Sequence, residues 1–440
     1  MKRFLLLLIL TVFALFVFAA EIPNVNFTTY TLKNGLKVFI FEDHSVPLVK
    51  VEIWYKVGSI DEEEGKTGIA HLLEHTMFNG TSALPKGGID DLITSVGGEN
   101  NAATFYDYTF YYELVPSAKL ELALAIEADR MRNLKIDPDD FYREKEVVKQ
   151  ERRMRTENNY IQSGWEELQA TAFKGTPLGH FVIGFMKDLE AITHVDVRNF
   201  YEMFYAPNNA ILSISGDVNP EEAIKLVEKY FGEYSPEQVK RPVYAEPKIE
   251  GETILKLPRL TRLSLLMELY SIPKADHEDI PAIEALLDIW LNSENSRVNK
   301  ELYFNKQLIL GTGGFIYDLR IPGMAVIYAF GYSEEDLDAI KDGIDKELEK
   351  IINEGISEEE LQKVKKQMIK SIIFAQKDLK EFSSEIVLGE LRFGNPELYK
   401  QKLEKLNKLT SEDIQRVAEK YFYSKNRYVG YIVPKKDAVN

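Results

Sequence analysis

Apolar positions along the chain switch repeatedly between a period of two and a period near 3.6, the signatures of half-buried strand and amphipathic helix. Two strand-like runs, Phe27 to Leu32 and Leu36 to Phe41, flank Lys33-Asn34-Gly35. Asn-Gly between such runs is a strong hairpin signal, because both residues tolerate the positive φ that a tight turn demands. Leu48 to Val57 continues as a strand, and an acidic loop, Asp61 to Glu64, leads into a helical pattern over Gly68 to Met77. Gly88 to Ser95 predicts a short helix ended by Val96-Gly97-Gly98, and residues 101–115, rich in Thr, Tyr and Phe, predict a strand. Helices follow over about 117–133 and 138–157, the second opened by Asp137 as cap and Pro138 at its start. Residues 196–205 read as helix, Ala210 to Ser215 as strand and Pro220 to Phe231 as helix.

Tyr234 to Gly251 breaks this rhythm. Three prolines, alternating charges and no periodicity mark an interdomain linker, with one domain over 21–233 and a second over 252–440. Beyond the linker the pattern starts again. Ile192-Thr193-His194-Val195-Asp196-Val197 and Leu409-Thr410-Ser411-Glu412-Asp413-Ile414 each open a helix that precedes a strand. Val115-Pro116-Ser117 corresponds similarly to Tyr332-Ser333-Glu334. The offset stays near half the chain, which indicates a duplicated domain and not a short-repeat solenoid.

At 440 residues the chain is too long for one compact core. A hydrophobic fraction of 45% and an aromatic fraction of 11% place it among globular proteins. The net charge of -16 argues against a nucleic-acid partner, since phosphate binding needs a basic surface. Lys2-Arg3 precede an apolar run from Phe4 to Phe18, and Val17-Phe18-Ala19 offers small residues where a signal peptidase reads. The expectation is a signal peptide over 1–20, cleaved after Ala19 or Ala20, with no membrane span afterwards. With no Cys, a lipoprotein anchor and a disulfide framework are both excluded. Export without disulfides points to a periplasmic or extracellular location.

The chemistry concentrates in the helical pattern at 68–77. His71, Glu74 and His75 fall on one face at spacings of three and four, with Leu72 and Leu73 turned elsewhere to pack. Two imidazoles a turn apart form a bidentate grip for a borderline metal such as zinc. The second-half counterpart, Pro281 to Trp290, keeps the apolar pattern and has no His. Histidines needed by the fold would recur there, so their presence in one half only favours function. A catalytic zinc takes three protein ligands and a water. Candidates for the third ligand are Glu144, Glu146 and Glu151 on the helix near 138–157. Glu144 and Glu151 share a face with Val147 and Val148, while Glu146 points away. Two carboxylates on an apolar face are costly unless paired or metal-bound, so this face is expected to meet the histidine helix.

His71-Leu72-Leu73-Glu74-His75 is an H-x-x-E-H motif. With Glu151 downstream, the chain resembles the pitrilysin/insulinase-type zinc metallopeptidases, the group that includes the mitochondrial processing peptidases. The resemblance extends over Leu32 to Lys37, Gly97-Gly98 with Asn101-Ala102-Ala103-Thr104, Pro177-Leu178-Gly179, and Tyr205 to Ala210 with Gly216-Asp217. It implies an α+β fold of two tandem homologous domains, each a mainly antiparallel sheet packed with helices. It implies that His71, His75 and Glu151 bind one zinc per chain, that Glu74 is the general base, and that Glu144 is a supporting carboxylate. It also implies an extended peptide substrate held by the edge near Asn101, Ala102, Ala103 and Thr104.

One departure stands out. The resemblance leads to a second-domain helix beginning Ser-Arg, then an Arg, then a Tyr after a Gly. Ser296-Arg297 and Glu301-Leu302 match, but Tyr303 and Leu310 stand at the Arg and Tyr positions. The pattern is similar to chains that carry the metal while a paralogous partner supplies Arg and Tyr. The expected function is therefore a zinc endopeptidase acting on peptides or unfolded segments as the metal-bearing half of a dimer. The alternative is a non-catalytic peptide-binding or assembly subunit.

Overall fold

The structure, a computed structural model, describes residues 25–422 and 426–435. The signal-like segment 1–20 and its cleavage point lie outside the described residues. Two sheets organise the chain. The first has six strands in the order β1 (Thr28–Thr31), β2 (Lys37–Glu42), β6 (Ala210–Gly216), β3 (Leu48–Tyr55), β5 (Thr109–Pro116), β4 (Glu99–Thr104). The second has five: β7 (Gly251–Arg259), β11 (Asn426–Pro434), β8 (Ser264–Ile272), β10 (Gly323–Gly331), β9 (Ile309–Tyr317). Set side by side, β2-β6-β3-β5-β4 and β7-β11-β8-β10-β9 are the same sheet built twice. Each holds one parallel pair, β2 with β6 and β7 with β11, and is otherwise antiparallel. The duplication expected from the sequence is present strand by strand, with β1 the only addition among the described residues.

The predicted hairpin forms, with Gly35 at φ 90° in its turn. One local expectation fails for an instructive reason. Residues 101–115 are a hairpin and not one strand: β4 and β5 are joined at 105–108, where the Phe105 amide donates to the Tyr108 carbonyl at 2.8 Å. The bend carries one turn-favouring residue, Asp107, set among three aromatics. It is fixed by Asp107, fully buried, which accepts from the Arg320 amide and pairs with Arg392, both remote in sequence. The acidic loop at 61–64 forms as expected, with its first two carboxylates in the interior. Asp61 is buried between Arg320 (2.6 Å) and Arg241 (3.0 Å), and Glu62 is buried beside it.

Alternation along the strands feeds both faces of each sheet. Val38, Ile40, Val51, Ile53 and Tyr55 point into a core shared with helices Ile69–Thr76, Leu120–Arg132, His194–Phe204 and Pro220–Phe231. On the opposite face Phe39, Phe41 and Trp54 meet Phe382, Ile386, Val387 and Leu391, which belong to helix Leu379–Phe393 of the second half. The second sheet repeats the arrangement. Leu266 and Tyr270 pack on helices Ile280–Leu287, Leu337–Glu354 and Ser411–Phe422. Leu257, Leu265, Met267 and Ile432 meet Leu168 and Ala172 from helix Tyr160–Ala172 of the first half. Each half thus lends one helix to the other's sheet. The lent helix from the first half lies so close that a Cβ on Gly164 would sit 2.5 Å from the Ile432 side chain. Ion pairs cross at the same seam, Lys50 with Glu381 and Asp107 with Arg392. Among the described residues, 235–250 carry neither helix nor strand.

The second-half counterpart of the histidine helix, Ile280–Leu287, contains no His, and all but one of its residues are buried. Asp279, just before it, takes hydrogen bonds from Tyr421 (2.6 Å), Lys420 (3.0 Å) and Arg416 (2.6 Å). Burial alone would raise the Asp279 carboxyl, but these donors outweigh it and hold it at about 2.

Because that value lies below the unfolded one near 3.9, its stabilising contribution is complete above pH ~4 and is lost as pH falls toward 2. Asp279→Asn is therefore expected to lower the melting temperature at pH 7, with the gap to wild type closing in an acid series. Ile386→Ala, which empties a site on the lent helix, is expected to cost about 2–5 kcal/mol in denaturant unfolding.

Candidate metal centre

The histidine helix starts where Gly68, at φ 91°, turns the chain. A side chain there is excluded, since a Cβ would meet the Ile183 carbonyl at 2.5 Å. A helix start leaves amide donors unpaired and carries a partial positive charge. Glu62 answers both needs: its carboxylate accepts from the amides of Gly68 (2.8 Å) and Ala70 (2.9 Å). Burial pushes this carboxyl well up, opposed by those two amides. Ile69, Ala70, Leu72 and Leu73 are buried in the first core and clamp one side of the helix. The other side presents His71, Glu74 and His75.

Helix Pro138–Arg152 faces it. Asp137 caps its start by accepting from the amides of Asp139 and Asp140. Much of its charge is anchored rather than solvated. Lys145 donates to the carbonyls of Glu190 and Ile192, and Arg152 reaches the Gly184 carbonyl at 2.6 Å and Glu166 at 2.8 Å. The expected apolar face is only half present: Val148 is buried, but Val147 is 52% exposed. The helix is held by Phe141, Val148 and the stems of Lys145 and Arg152. Glu146 pairs with Lys149 at the surface, away from the histidines.

Between the helices the nitrogen and oxygen donors converge. His75 Nε2 lies 3.3 Å and His71 Nε2 3.8 Å from Glu151 Oε2. One donor atom from each of His71, His75 and Glu151 can be chosen so that all lie within 4.8 Å of one another. Donors about 2.1 Å from a tetrahedral zinc sit roughly 3.4 Å apart, close to the His75–Glu151 separation, and two imidazoles with a carboxylate are a donor set that zinc takes. Glu144 Oε1 lies 3.1 Å from His75 Nδ1, the ring nitrogen turned away from Glu151, and so orients the imidazole. Arg155 holds the other Glu151 oxygen at 2.7 Å.

Charge is unevenly shared. His71 is pushed down to about 4 by burial and by His75. For His75, burial is overcome by hydrogen bonds to Glu144 and Glu151, which lift it to about 9. The His75 contact lowers Glu151. Burial raises Glu74, partly opposed by Thr104, whose hydroxyl donates to Glu74 Oε2 at 2.5 Å.

Asn101, Ala102, Ala103 and Thr104 all lie on β4, the terminal strand of the first sheet. The Asn101 side-chain oxygen accepts from the Ala102 amide at 2.9 Å. In the second half, Ser296 is buried and Arg297 pairs with Glu360, while Tyr303 and Leu310 are exposed. Sequence reasoning missed two supports of the site, the Glu62 cap and the Thr104 contact. A carboxylate six residues before a glycine-opened helix is a faint signal for the first. Nothing local announces the second.

A family model described as insulinase, peptidase family M16, matches residues 37–184, and one described as the peptidase M16 inactive domain matches 191–368. The zinc protease PqqE of Helicobacter pylori is 33% identical over 345 residues, covering 76% of this chain and 77% of that one. A probable mitochondrial-processing peptidase subunit beta of Arabidopsis thaliana is 25% identical over 419 residues, 92% of this chain and 78% of the other. The crystal structure of a protease from Helicobacter pylori superposes with a TM-score of 0.87 at 28% identity, over 93% of this chain and 99% of that chain.

Glu62→Ala is expected to leave two amides at the helix start without their partner, at about 1–3 kcal/mol each. Hydrogen exchange should then quicken at residues 68–72 relative to the strands of the same sheet.

Proposed function

Because the chain belongs to the insulinase (M16) family of peptidases, we propose that it is a zinc-dependent endopeptidase hydrolysing peptide bonds in peptides or unfolded segments. The observation that carries the reading is the meeting of His71, His75 and Glu151 across two helices, with Glu74 on the same face. These three residues hold one zinc per chain. Zinc supplies a Lewis acid that brings the pKa of a bound water to about 7. Glu74, made more basic by burial, takes a proton beside that position and returns it to the leaving amine. Glu144 fixes the His75 ring and Arg155 the Glu151 carboxylate. An extended peptide adds to the open edge of β4, where backbone hydrogen bonds give affinity with little demand on sequence. A peptide there displaces the Asn101 side chain from the Ala102 amide.

The metal-bearing unit spans 21–233, the linker 234–251 and the second unit 252–440. With Tyr303 and Leu310 where Arg and Tyr are expected, the chain works as a dimer, its partner a paralogous subunit supplying those two groups. The Arabidopsis relative is itself named as a subunit, which supports the pairing. The signal-like start supports an exported, periplasmic or extracellular protein, and no helix among the described residues is long and apolar enough to cross a membrane. The second reading, a peptide-binding assembly subunit without catalysis, is favoured by the missing Arg and Tyr and opposed by the complete set His71, Glu74, His75 and Glu151.

Glu74→Gln is expected to retain zinc by elemental analysis and to lose about 10²–10⁴-fold in peptide cleavage. Unchanged cleavage would refute the metallopeptidase reading. Glu151→Gln should weaken zinc binding, and unchanged zinc content would move the third ligand to Glu144. Full-rate cleavage by the purified chain alone would sink the paired-subunit model.

A further inference from the structure

Thr104 ends the edge strand β4, and family resemblance groups it with the residues that hold the peptide. Its hydroxyl is already engaged. It donates its single proton to Glu74 Oε2 at 2.5 Å, so it has none left for a peptide carbonyl. The helix fixes the Glu74 backbone but leaves three side-chain torsions free, and the carboxylate must still be aimed. Among the described residues, Thr104 alone is hydrogen-bonded to that carboxylate. Its backbone amide also bonds that carboxylate, and the residue is paired with Thr109 in the ladder between β4 and β5.

We infer that Thr104 is a positioning residue, which fixes the Glu74 carboxylate and ties it to the strand on which the peptide is held. The inference rests on Glu74 as proton acceptor and β4 as the peptide edge. Its hydroxyl, beside its amide, then joins two elements that must stay in register, the helix that carries the base and the strand that sets the height of the scissile bond. A β-branched threonine suits the task, because its stiff χ1 holds the hydroxyl in one direction while the residue remains a good strand former.

Thr104→Val keeps shape and strand preference and removes only the hydroxyl. In the full chain it is expected to lower kcat by about 10- to 100-fold, as loss of such supporting contacts does, with KM within about twofold. Zinc per chain and melting temperature stay as in wild type. Thr104→Ser, which restores the hydroxyl, recovers most of the rate. On a Glu74→Gln background, Thr104→Val adds no further loss, since both changes act through one carboxylate. A raised KM at unchanged kcat would make Thr104 a peptide contact and overturn the inference. Loss of zinc, or a Val variant as fast as wild type while Glu74→Gln is dead, would overturn it too. If Glu74→Gln itself cleaved normally, the peptidase reading would fail instead.

Discussion

A buried carboxylate at a helix start is the constraint on which the metal centre depends. Glu62 gives two amide protons a partner where water cannot reach, and so fixes where the histidine helix begins. A helix has no freedom to slide once its first turn is pinned. Each residue of slippage would rotate His71 and His75 by roughly 100° and carry them off the face of Glu151. The apolar residues between the histidines hold the helix against the sheet, but they tolerate small sliding better than two directional hydrogen bonds do. Tyr244, reaching the Glu62 carbonyl from the stretch between the sheets, ties this anchor to that connecting segment as well.

The opposing helix is held by a different device. Its inward lysine and arginine are satisfied by backbone carbonyls of the 184–192 segment, so charge and packing act together instead of competing. Glu144 and Glu151 are left to face the histidines, and each is restrained by a cation at the rim, Lys86 or Arg155. The centre is therefore built from two independently anchored rods, with only side-chain torsions left to set. Preorganisation of this kind spares a metal the cost of gathering its own ligands.

Much of this was legible in the sequence where signals are local. The hairpin at Asn34-Gly35, the helix Gly88–Ser95, the Asp137 cap and helix Pro220–Phe231 follow from turn chemistry and periodicity. The duplication was legible because both copies keep the same order of strand, helix and strand. What was not legible depends on partners far along the chain. The bend at 105–108 has a single turn former, Asp107, among aromatics, and it is held by arginines from the second half. Asp61 and Glu62 sit in a run of acids that reads as surface, and only tertiary pairing makes them interior. The helices Tyr160–Ala172 and Leu379–Phe393 have partners in the opposite half, so no pattern within one half explains their apolar faces.

That exchange of helices bears on how such a chain came to be. A single ancestral copy would leave one face of its sheet bare and one helix without a seat, the condition under which two molecules trade identical elements. Two free copies must find each other in solution. Joined by a short tether they meet at an effective concentration on the order of millimolar, so the trade becomes a property of one molecule. Once it does, the copies no longer have to match. The second could shed its histidines while the helix that displayed them kept packing on its own sheet and the one it lends kept serving the first.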